Sequence, residues 1–566
     1  MYILGITHPV SRNSAACLLK DGKILALAEE ERFNRIKHSP YLPPNKSIDY
    51  CLKQGGVGFN DLDYIAVGFD SFRNVLSSDL LGKATTLFSR ARIGGLFVGD
   101  LDGVKVSGSP MIMFFKYLID YYQGLFRLPF DYRDKRVKFV RHHTSHCASA
   151  YFVSPFDHAC IISADGGGGQ EAGMLAVGEQ DKITVFRTIP SVHSLGYLYS
   201  IITKLLGFEI NDGEGKVMGL SAYGNNNRVL PFVGFKDGIA VINHHKMNSY
   251  LGKIKLKLSP HPLDKANVNL ASSLQKTIEE AYVYMAEYLY KKTGIKNFCL
   301  TGGVSLNCLA NTQVLKSEFV DDVFVQPLSS DAGTSLGAAL QVYVDLYGKR
   351  PGFVMDHVYL GPEFSGGEIE KAIKKAEIPY YKKYKNIERV TAHLLAKGHI
   401  IGWFQGRMEA GPRALGNRSI LANPSVFKMK DIINSRVKNR EPWRPFAPSL
   451  LEEDVSGYLI DVKESPFMIL ESKVRTNKIK DIVATVHVDG TVRPQTVSRK
   501  MNSRYWNLIN EFKKTTGIPV LLNTSFNIAG EPIVCKPTEA ISTFFRSGLD
   551  YLVMGDYLIS KMPFRD

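Results

Sequence analysis

No Cys-x-x-Cys pair occurs among the seven cysteines of this 566-residue chain, which speaks against paired zinc knuckles. Cys17, Cys160 and Cys299 lie inside apolar, strand-like runs and read as core thiols. The odd count, and a start (MYILGITHPV) without the charged-then-apolar layout of a signal peptide, lead to the expectation of a reducing cytoplasm. No long Lys/Arg run is present, so a disordered basic arm is not expected despite a formal charge of +15. That charge suits anionic small substrates and leaves nucleic acid open. No stretch fits a membrane span either. The most apolar one, Met111 to Phe126, is interrupted by Lys116 and Asp120 and reads as an amphipathic helix on a core or dimer contact. A G-x-S-x-G nucleophile elbow is missing, and so is any low-complexity segment. What remains, 45% hydrophobic and 22% charged residues, is the composition of an ordinary globular protein with two or more domains.

The first half carries an internal echo. YILGIT (2–7) is an apolar strand, and AACLLKDGKILALAEE reads as two strands joined by an Asp21-Gly22 hairpin turn. From Cys160 the scheme recurs: CIISAD as a strand, GGGGQE as a loop, GMLAVGEQDKITVFRTI as a second hairpin. Strand, loop and hairpin twice over is the layout of a duplicated, actin-like α/β ATPase fold. NFCLTGGVSLNCLAN and VFVQPLSSDAGTSLGAAL each read as strand, turn and helix, and such turns offer backbone N–H groups to phosphate or ribose. On this basis Asp165, Gly166, Gly167, Gly302, Gly303 and Asn307 are candidate nucleotide-binding residues of the first domain. The Pro/Gly-rich stretch from Tyr347 to Glu363 marks a boundary. The expected domains are 1–350, with a helical insertion near 80–130, a linker at 351–364, and a second α/β domain at 365–566.

Two patterns point to chemistry. GWFQGRMEAGPRALGNRSILAN (402–423) packs Arg407, Arg413 and Arg418 among Gly402, Gly406, Gly411 and Gly416, and VKNREPWRPFAP follows with Lys438, Arg440 and Arg444. Guanidiniums suit phosphate and carboxylate oxygens, and glycines let backbone close on a ligand, so this is read as an anion pocket. Arg493 in HVDGTVRPQTV, and Asn523 and Ser525 in VLLNTSFNIAGEPIV, lie at turns or strand ends that either bind ligand or serve only as turn chemistry. The second pattern is VRHHTSHCASAYF. His142 and His146, four residues apart, share one helical face. Spacing alone fits surface histidines as well. With Asp165 and Asp331 lining an actin-like cleft, it becomes a candidate site for Fe(II), Zn or Mn. EEERFNRIKHSP is either a solvated helix start or a source of Arg32, Arg35 or Lys37 for an anionic intermediate. NDGEGKVMGLSAYG lacks the Gly-Lys-Ser/Thr ending of a Walker loop and reads as a flexible cleft-lining loop.

EERFNRIKH, HHTSHCASAYF, the DGGG turn, GEGKVMGLSAYG, GGVSLN, DAGTSLGAAL, GPRALGNRS, REPWRPFAPS, RPQTV and LLNTSFNIAGEPIV together resemble the NodU/CmcH carbamoyltransferase family, in the same order and nearly end to end. The resemblance implies a first domain like the metal- and nucleotide-binding domain of enzymes that make threonylcarbamoyl-adenosine on tRNA, and a YrdC-like second domain. It implies ATP, with Mg²⁺ on its phosphates, and carbamoyl phosphate as substrates. Carbamoyl-AMP would form in the second domain and pass its carbamoyl group to an alcohol in the first. By position, Arg413, Lys438, Arg444, Arg493, Asn523 and Ser525 fall where the family binds carbamoyl phosphate and nucleotide. His142, His146 and Asp331 fall at its metal ligands, with Asp165 close by.

One departure stands out. Many family members carry a His in the first loop, where SRNSAACLL here offers Arg12 or Ser11, with His8 displaced nearby. His8 and Arg12 are therefore candidates for the transfer step, beside Lys438 and Arg444 for activation. The expected partner is a small hydroxylated acceptor rather than nucleic acid or membrane, with a homodimer as a family expectation. The alternative is a threonylcarbamoyl-adenosine tRNA-modifying enzyme.

Overall fold

The structure is a computed structural model that describes residues 1–8, 11–69, 127–168, 171–226, 228–462 and 464–564. The expected helical insertion near 80–130, with the Met111–Phe126 helix, lies almost wholly outside the described residues. The chain forms two compact units, one of residues 1–30 and 38–355, the other of 31–37 and 356–566. A single cut near residue 350 therefore needs a correction: seven residues directly after the first hairpin belong to the C-terminal unit.

Unit 1 repeats one sheet twice. Strands β1 (Tyr2–Ile6), β2 (Ala15–Lys20), β3 (Lys23–Glu29), β4 (Tyr64–Val67) and β5 (Val137–Phe139) are ordered β3-β2-β1-β4-β5. Strands β6 (His158–Gly168), β7 (Glu171–Glu179), β8 (Lys182–Pro190), β11 (Asn297–Thr301) and β12 (Asp322–Val325) are ordered β12-β11-β6-β7-β8, with the hairpin β9 (Val233–Lys236) and β10 (Ile239–Ile242) between them in sequence. In each sheet the first three strands are antiparallel neighbours and the last two run parallel to the first. This duplicated order is the actin-like fold. Local chemistry explains the hairpins. Asp21 and Gly22 both take positive φ (49° and 81°), the geometry a two-residue turn needs to match strand twist.

Helices bring the second half of unit 1 against the first. Helix α2 (His142–Tyr151; α1 is Glu31–Asn34) packs on α3 (Ala332–Tyr347). The approach is so close that a Cβ on Gly337 would lie 1.7 Å from the Ser145 carbonyl oxygen, so only glycine fits. Two sequence expectations change here. GGGGQE is not a loop from its start, because β6 continues through Gly168 with an irregular register after Ala164. GEGKVMGLS is helical over Glu214–Ser221 rather than a flexible loop, and the Glu214 carboxylate accepts from Ser200 Oγ at 2.8 Å and from the Asn211 N–H.

Unit 2 is an α/β domain with an eight-stranded mixed sheet flanked by helices; with β13 (Tyr381–Lys383), β19 (Gln495–Val497), β21 (Tyr551–Met554) and β22 (Tyr557–Ser560) at its two sides, the order is β13-β22-β21-β14-β15-β20-β16-β19. Its centre is β14 (Ile401–Phe404), β15 (Arg418–Ala422), β20 (Val520–Ser525) and β16 (Ala447–Leu451). Alternate side chains enter two cores. Phe404, Ile420 and Leu522 join Ile373 and Phe544 on one face; Trp403, Leu421 and Leu521 join Leu395 and Phe512 on the other. Among the described residues, no helix is long and apolar enough to cross a membrane.

Candidate functional sites

In unit 1, α2 and α3 carry the polar centre. Helical spacing puts His142 and His146 on one face, β6 ends beside them at Asp165, and Asp331 stands at the start of α3. One nitrogen or oxygen of each lies within 4.8 Å of all the others. Asp165 Oδ2 is 3.4 Å from His142 Nε2 and 3.2 Å from His146 Nε2; Asp331 Oδ1 is 3.8 and 3.9 Å from the same two atoms. Donors held about 2.1 Å from one ion lie roughly 3.0–3.4 Å apart, so the closer pairs fit a shared cation and the Asp331 pairs sit slightly wide. The electrostatics agree. Burial and the neighbouring Asp165 raise the Asp331 carboxyl above its ordinary range. Burial pushes Asp165 up as well, but hydrogen bonds to both histidines outweigh it and hold Asp165 well below. Two part-buried carboxylates with two buried imidazoles form a donor set that a divalent ion would relieve.

Its surroundings refine the sequence expectations. Ser11 Oγ donates to Asp331 Oδ2 at 2.8 Å, whereas the Arg12 guanidinium lies 5.9 Å over the Tyr41 ring. Of the two residues standing at the family histidine, Ser11 thus meets the centre. The His8 ring lies tilted against Phe69, centroids 3.9 Å apart, and Phe69 in turn meets His142 edge-on at 6.0 Å. Burial and nearby His142 lower His8 to about 3, so its imidazole is neutral. Gly168 was not anticipated. A Cβ there would come 2.2 Å from His142 Cδ2, so the strand passes over the ligand ring only as glycine. The Gly302-Gly303 turn lies against the same strand end, since a Cβ on Gly303 would meet Asp165 Oδ1 at 2.8 Å. Gly166 donates its N–H to Asp165 Oδ1 at 2.6 Å, and Gly167 follows in the same irregular stretch of β6. Asn307 needs a correction. Its side chain caps the helix Cys308–Leu315 through the Ala310 N–H and exchanges hydrogen bonds with Gln275, so it is structural rather than open to a nucleotide.

In unit 2 the polar centre is cationic. Lys438 ends a π-helical turn, Asn434–Lys438, and is only 5% exposed. Its Nζ donates to the Ser525 carbonyl at 2.5 Å, Ser525 Oγ at 3.2 Å, the Asn527 carbonyl at 3.1 Å and Asn527 Oδ1 at 2.8 Å. These neutral oxygens orient the ammonium without cancelling its charge. Burial, then Arg440, Arg444 and Lys37, push Lys438 well below the ordinary lysine range. Arg440, stacked 4.4 Å over Phe446, is lowered to about 9 by burial, Arg444 and Arg493. Arg444 reaches Glu441 at 3.6 Å and stays partly exposed. Like charges gathered in a desolvated place form a site for an anion.

Three expectations change in unit 2. Arg418, with no exposure, gives its guanidinium to the carbonyls of Gln405, Gly406, Asn417 and Pro362 and stacks 3.7 Å over Phe404, so it braces the loop and does not face a ligand. Asn523, 1% exposed, donates to the Ala414 carbonyl, Ser449 Oγ and Gln495 Oε1, holding strand and loop together. Of the basic residues in EERFNRIKH, Arg32 and Arg35 bind carbonyls of Gly411, Pro532 and Ile533, and Lys37 is the one whose charge bears on Lys438. Arg413 and Arg493 are half-buried. Asn527 and Arg440 are the site residues sequence reasoning missed as ligand-side groups; Arg440 stood in the quoted basic block, while Asn527 carries no signal beyond a turn.

The comparisons with known proteins agree with this division. Residues 2–340 match the carbamoyltransferase N-terminus family model and residues 392–561 the carbamoyltransferase C-terminus model. The chain belongs to the carbamoyltransferase family. It is 39% identical to the nodulation protein NolNO of Sinorhizobium fredii, over 99% of this chain and 80% of that protein. It is 29% identical to the 3'-hydroxymethylcephem-O-carbamoyltransferase of Streptomyces clavuligerus, over 75% of this chain and 80% of that protein. Among solved structures, T. kodakarensis HypF matches 61% of this chain and 48% of its own, at 14% identity and a TM-score of 0.38. A likeness that weak adds nothing to the family assignment.

Proposed function

We propose that this carbamoyltransferase works in two half-reactions, activating carbamoyl phosphate with ATP in unit 2 and transferring the carbamoyl group to a hydroxyl of a small metabolite in unit 1. The observation that carries the reading is the buried ammonium of Lys438 with the part-buried Lys37, Arg440 and Arg444 around it, a gathering of four cations that Glu441 offsets only at its Arg444 edge. A small, doubly charged phosphate ester is the kind of ligand that offsets such a cluster.

Atom balance sets the first step. Carbamoyl phosphate loses inorganic phosphate to water, leaving carbamate. A carbamate oxygen attacks the α-phosphorus of ATP, its P–O bond to diphosphate breaks, and carbamoyl-AMP forms. Arg413, Arg444 and Arg493 would hold phosphate oxygens; Lys438, fixed by Ser525 and Asn527, would supply positive field at the developing charge. In the second step the acceptor oxygen attacks the carbamoyl carbon, the C–O bond to AMP breaks, and AMP leaves. The Streptomyces clavuligerus relative, an O-carbamoyltransferase by name, supports an oxygen acceptor. His142, His146, Asp165 and Asp331 would hold a divalent ion, with Fe, Zn and Mn all compatible with the donor set. Such an ion, when bound, supplies Lewis-acid polarisation of an oxygen. His8, near His142, is the candidate to accept the proton the acceptor hydroxyl gives up, and with burial lowering its pKa to about 3 it would do so only once a bound ligand raises its proton affinity.

Diphosphate release tests this. It should require ATP and carbamoyl phosphate together and need no RNA. Release that instead demands threonine and bicarbonate would turn the assignment to the tRNA-modifying alternative, for which the charge of +15 is the one favouring observation.

A further inference from the structure

The loop Gly411–Gly416, which presents Arg413, is held by its carbonyls. Asn523 Nδ2 donates to the Ala414 oxygen at 3.1 Å, Gln495 Nε2 and Tyr359 OH to the Leu415 oxygen at 2.8 and 2.9 Å, and Trp403 Nε1 to the Gly416 oxygen at 2.8 Å. These anchors grip the C-terminal half of the loop. The other end is gripped from far away in sequence. Arg32 Nη2 donates to the Gly411 oxygen at 2.7 Å, across 379 residues of chain. Gly411 sits at φ +100°, so the peptide Arg32 grips is one where the chain reverses, two residues before Arg413.

Arg32 is built for this. It is 2% exposed, and its Nη1 pairs with Glu31 at 2.8 Å. The short helix α1 that carries it is clamped on both sides. Phe33 packs on Met408, Ile533 and Cys535, and Arg35 donates to the carbonyls of Pro532 and Ile533 at 2.8 and 2.7 Å and pairs with Glu539 at 3.3 Å. A guanidinium that is desolvated, oriented by a carboxylate and bonded to a carbonyl fixes that backbone group more firmly than a surface contact does.

We propose that Arg32 is a positioning residue for the activation half-reaction: by fixing the Gly411 carbonyl it sets the direction in which Arg413 meets the anionic donor. The C-terminal catalytic unit therefore depends on a device encoded in the first thirty-seven residues. The inference rests on the two-step reading above for the role of Arg413. It differs from that reading in assigning Arg32 no contact with substrate.

The test is a double-mutant cycle in the full-length chain. Diphosphate release is followed against carbamoyl phosphate concentration for wild type, Arg32→Ala, Arg413→Ala and the double variant. Arg32→Ala should lower kcat/KM for carbamoyl phosphate about 10²-fold, the scale of a misplacement near one ångström. The double variant should be no worse than Arg413→Ala alone, and added guanidinium should restore Arg32→Ala. Losses that multiply, or an Arg32→Ala variant equal to wild type, would overturn the proposal. A role confined to stability would lower the melting temperature without moving KM. If Arg32→Ala does not fold, Arg32→Lys, which keeps the charge and loses the planar fork, runs through the same cycle. Calorimetric binding of inorganic phosphate to the four proteins repeats the cycle without turnover. A wild type that binds phosphate through Arg413, with Arg32→Ala weakening that binding only while Arg413 is present, but releases no diphosphate would sink the two-step reading and leave the positioning role standing.

Discussion

The two polar centres of this molecule solve opposite electrostatic problems by similar means. In unit 1 two carboxylates and two imidazoles converge with too little positive charge, and Asp331 is pushed toward its neutral form by burial and by Asp165. In unit 2 Lys438 and its arginine neighbours converge with too little negative charge, and Lys438 is pushed toward its neutral form by burial and by them. Each centre is costly when empty and is relieved by a ligand of the opposite sign. Both use a distorted backbone turn to gather their groups: the irregular end of β6 at Asp165 in one case, the π-helical turn at Lys438 in the other. The difference lies in how far the parts come from. The unit 1 donor groups sit on one helix, one strand end and one helix start. The unit 2 cluster draws on Lys37 as well as on residues beyond 430.

The comparison is broken most sharply by removing one charge from each centre. Lys438→Met should reduce diphosphate release by about 10³-fold, the upper range for deleting one preorganised stabilising group, while the metal content of the purified protein stays at the wild-type level. His146→Ala should do the reverse. Diphosphate release persists, metal content falls, and carbamoyl transfer to any acceptor is lost by more than the roughly 10–100-fold that outer-shell changes cost. Metal content is read by atomic spectroscopy and release by a coupled assay. Loss of both properties in both variants would mean that the two centres are not separable.

A smaller effect separates two arginines of one motif. Arg413 and Arg418 stand five residues apart in GPRALGNRS and look alike in sequence. Arg418→Met should destabilise the protein by about 3 kcal/mol or more, since several buried carbonyls lose their donor at about 1–3 kcal/mol each. Arg413→Ala should leave stability near wild type and weaken donor binding. Urea unfolding distinguishes them. Equal stabilities would show that the carbonyl cage around Arg418 is not what holds the loop.

The same pair shows what could be read without coordinates. The two sheets of unit 1 were legible because strand alternation and an Asp-Gly turn are local signals, and the His-x3-His pair was legible because helical spacing is local too. Asp331 came from reading SSDAGTS as a helix start lining an actin-like cleft, and the resemblance pointed to the same residue. Arg418 was misread because residue type says what a side chain can bind, and only tertiary structure says that four backbone carbonyls have already bound it. Asn307 and Asn523 failed for a related reason: an amide suits a ligand, a helix cap or a strand brace equally well. The place of residues 31–37 in unit 2 leaves no local trace, because the chain between Arg32 and Gly411 carries no record of their contact.

The smallest effect is a proton. Lys438 has a native-state pKa below its ordinary 10.5. Between those two values the unfolded chain holds the proton and the native chain does not, so stability rises with pH across the window. The contribution is fully present above 10.5 and is lost as pH falls through the native value. Arg440, lowered to about 9, acts with the same sign at higher pH. An anion in the site favours the charged ammonium and raises the native pKa, so binding within the window must take up protons. Sulfate is a suitable probe because it does not itself titrate there. Calorimetric titration in two buffers of different ionisation enthalpy should show proton uptake with the wild-type protein and markedly less with Lys438→Met. Uptake that persists unchanged in the variant would assign the proton to another group and leave Lys438 without its place at the centre of the anion site.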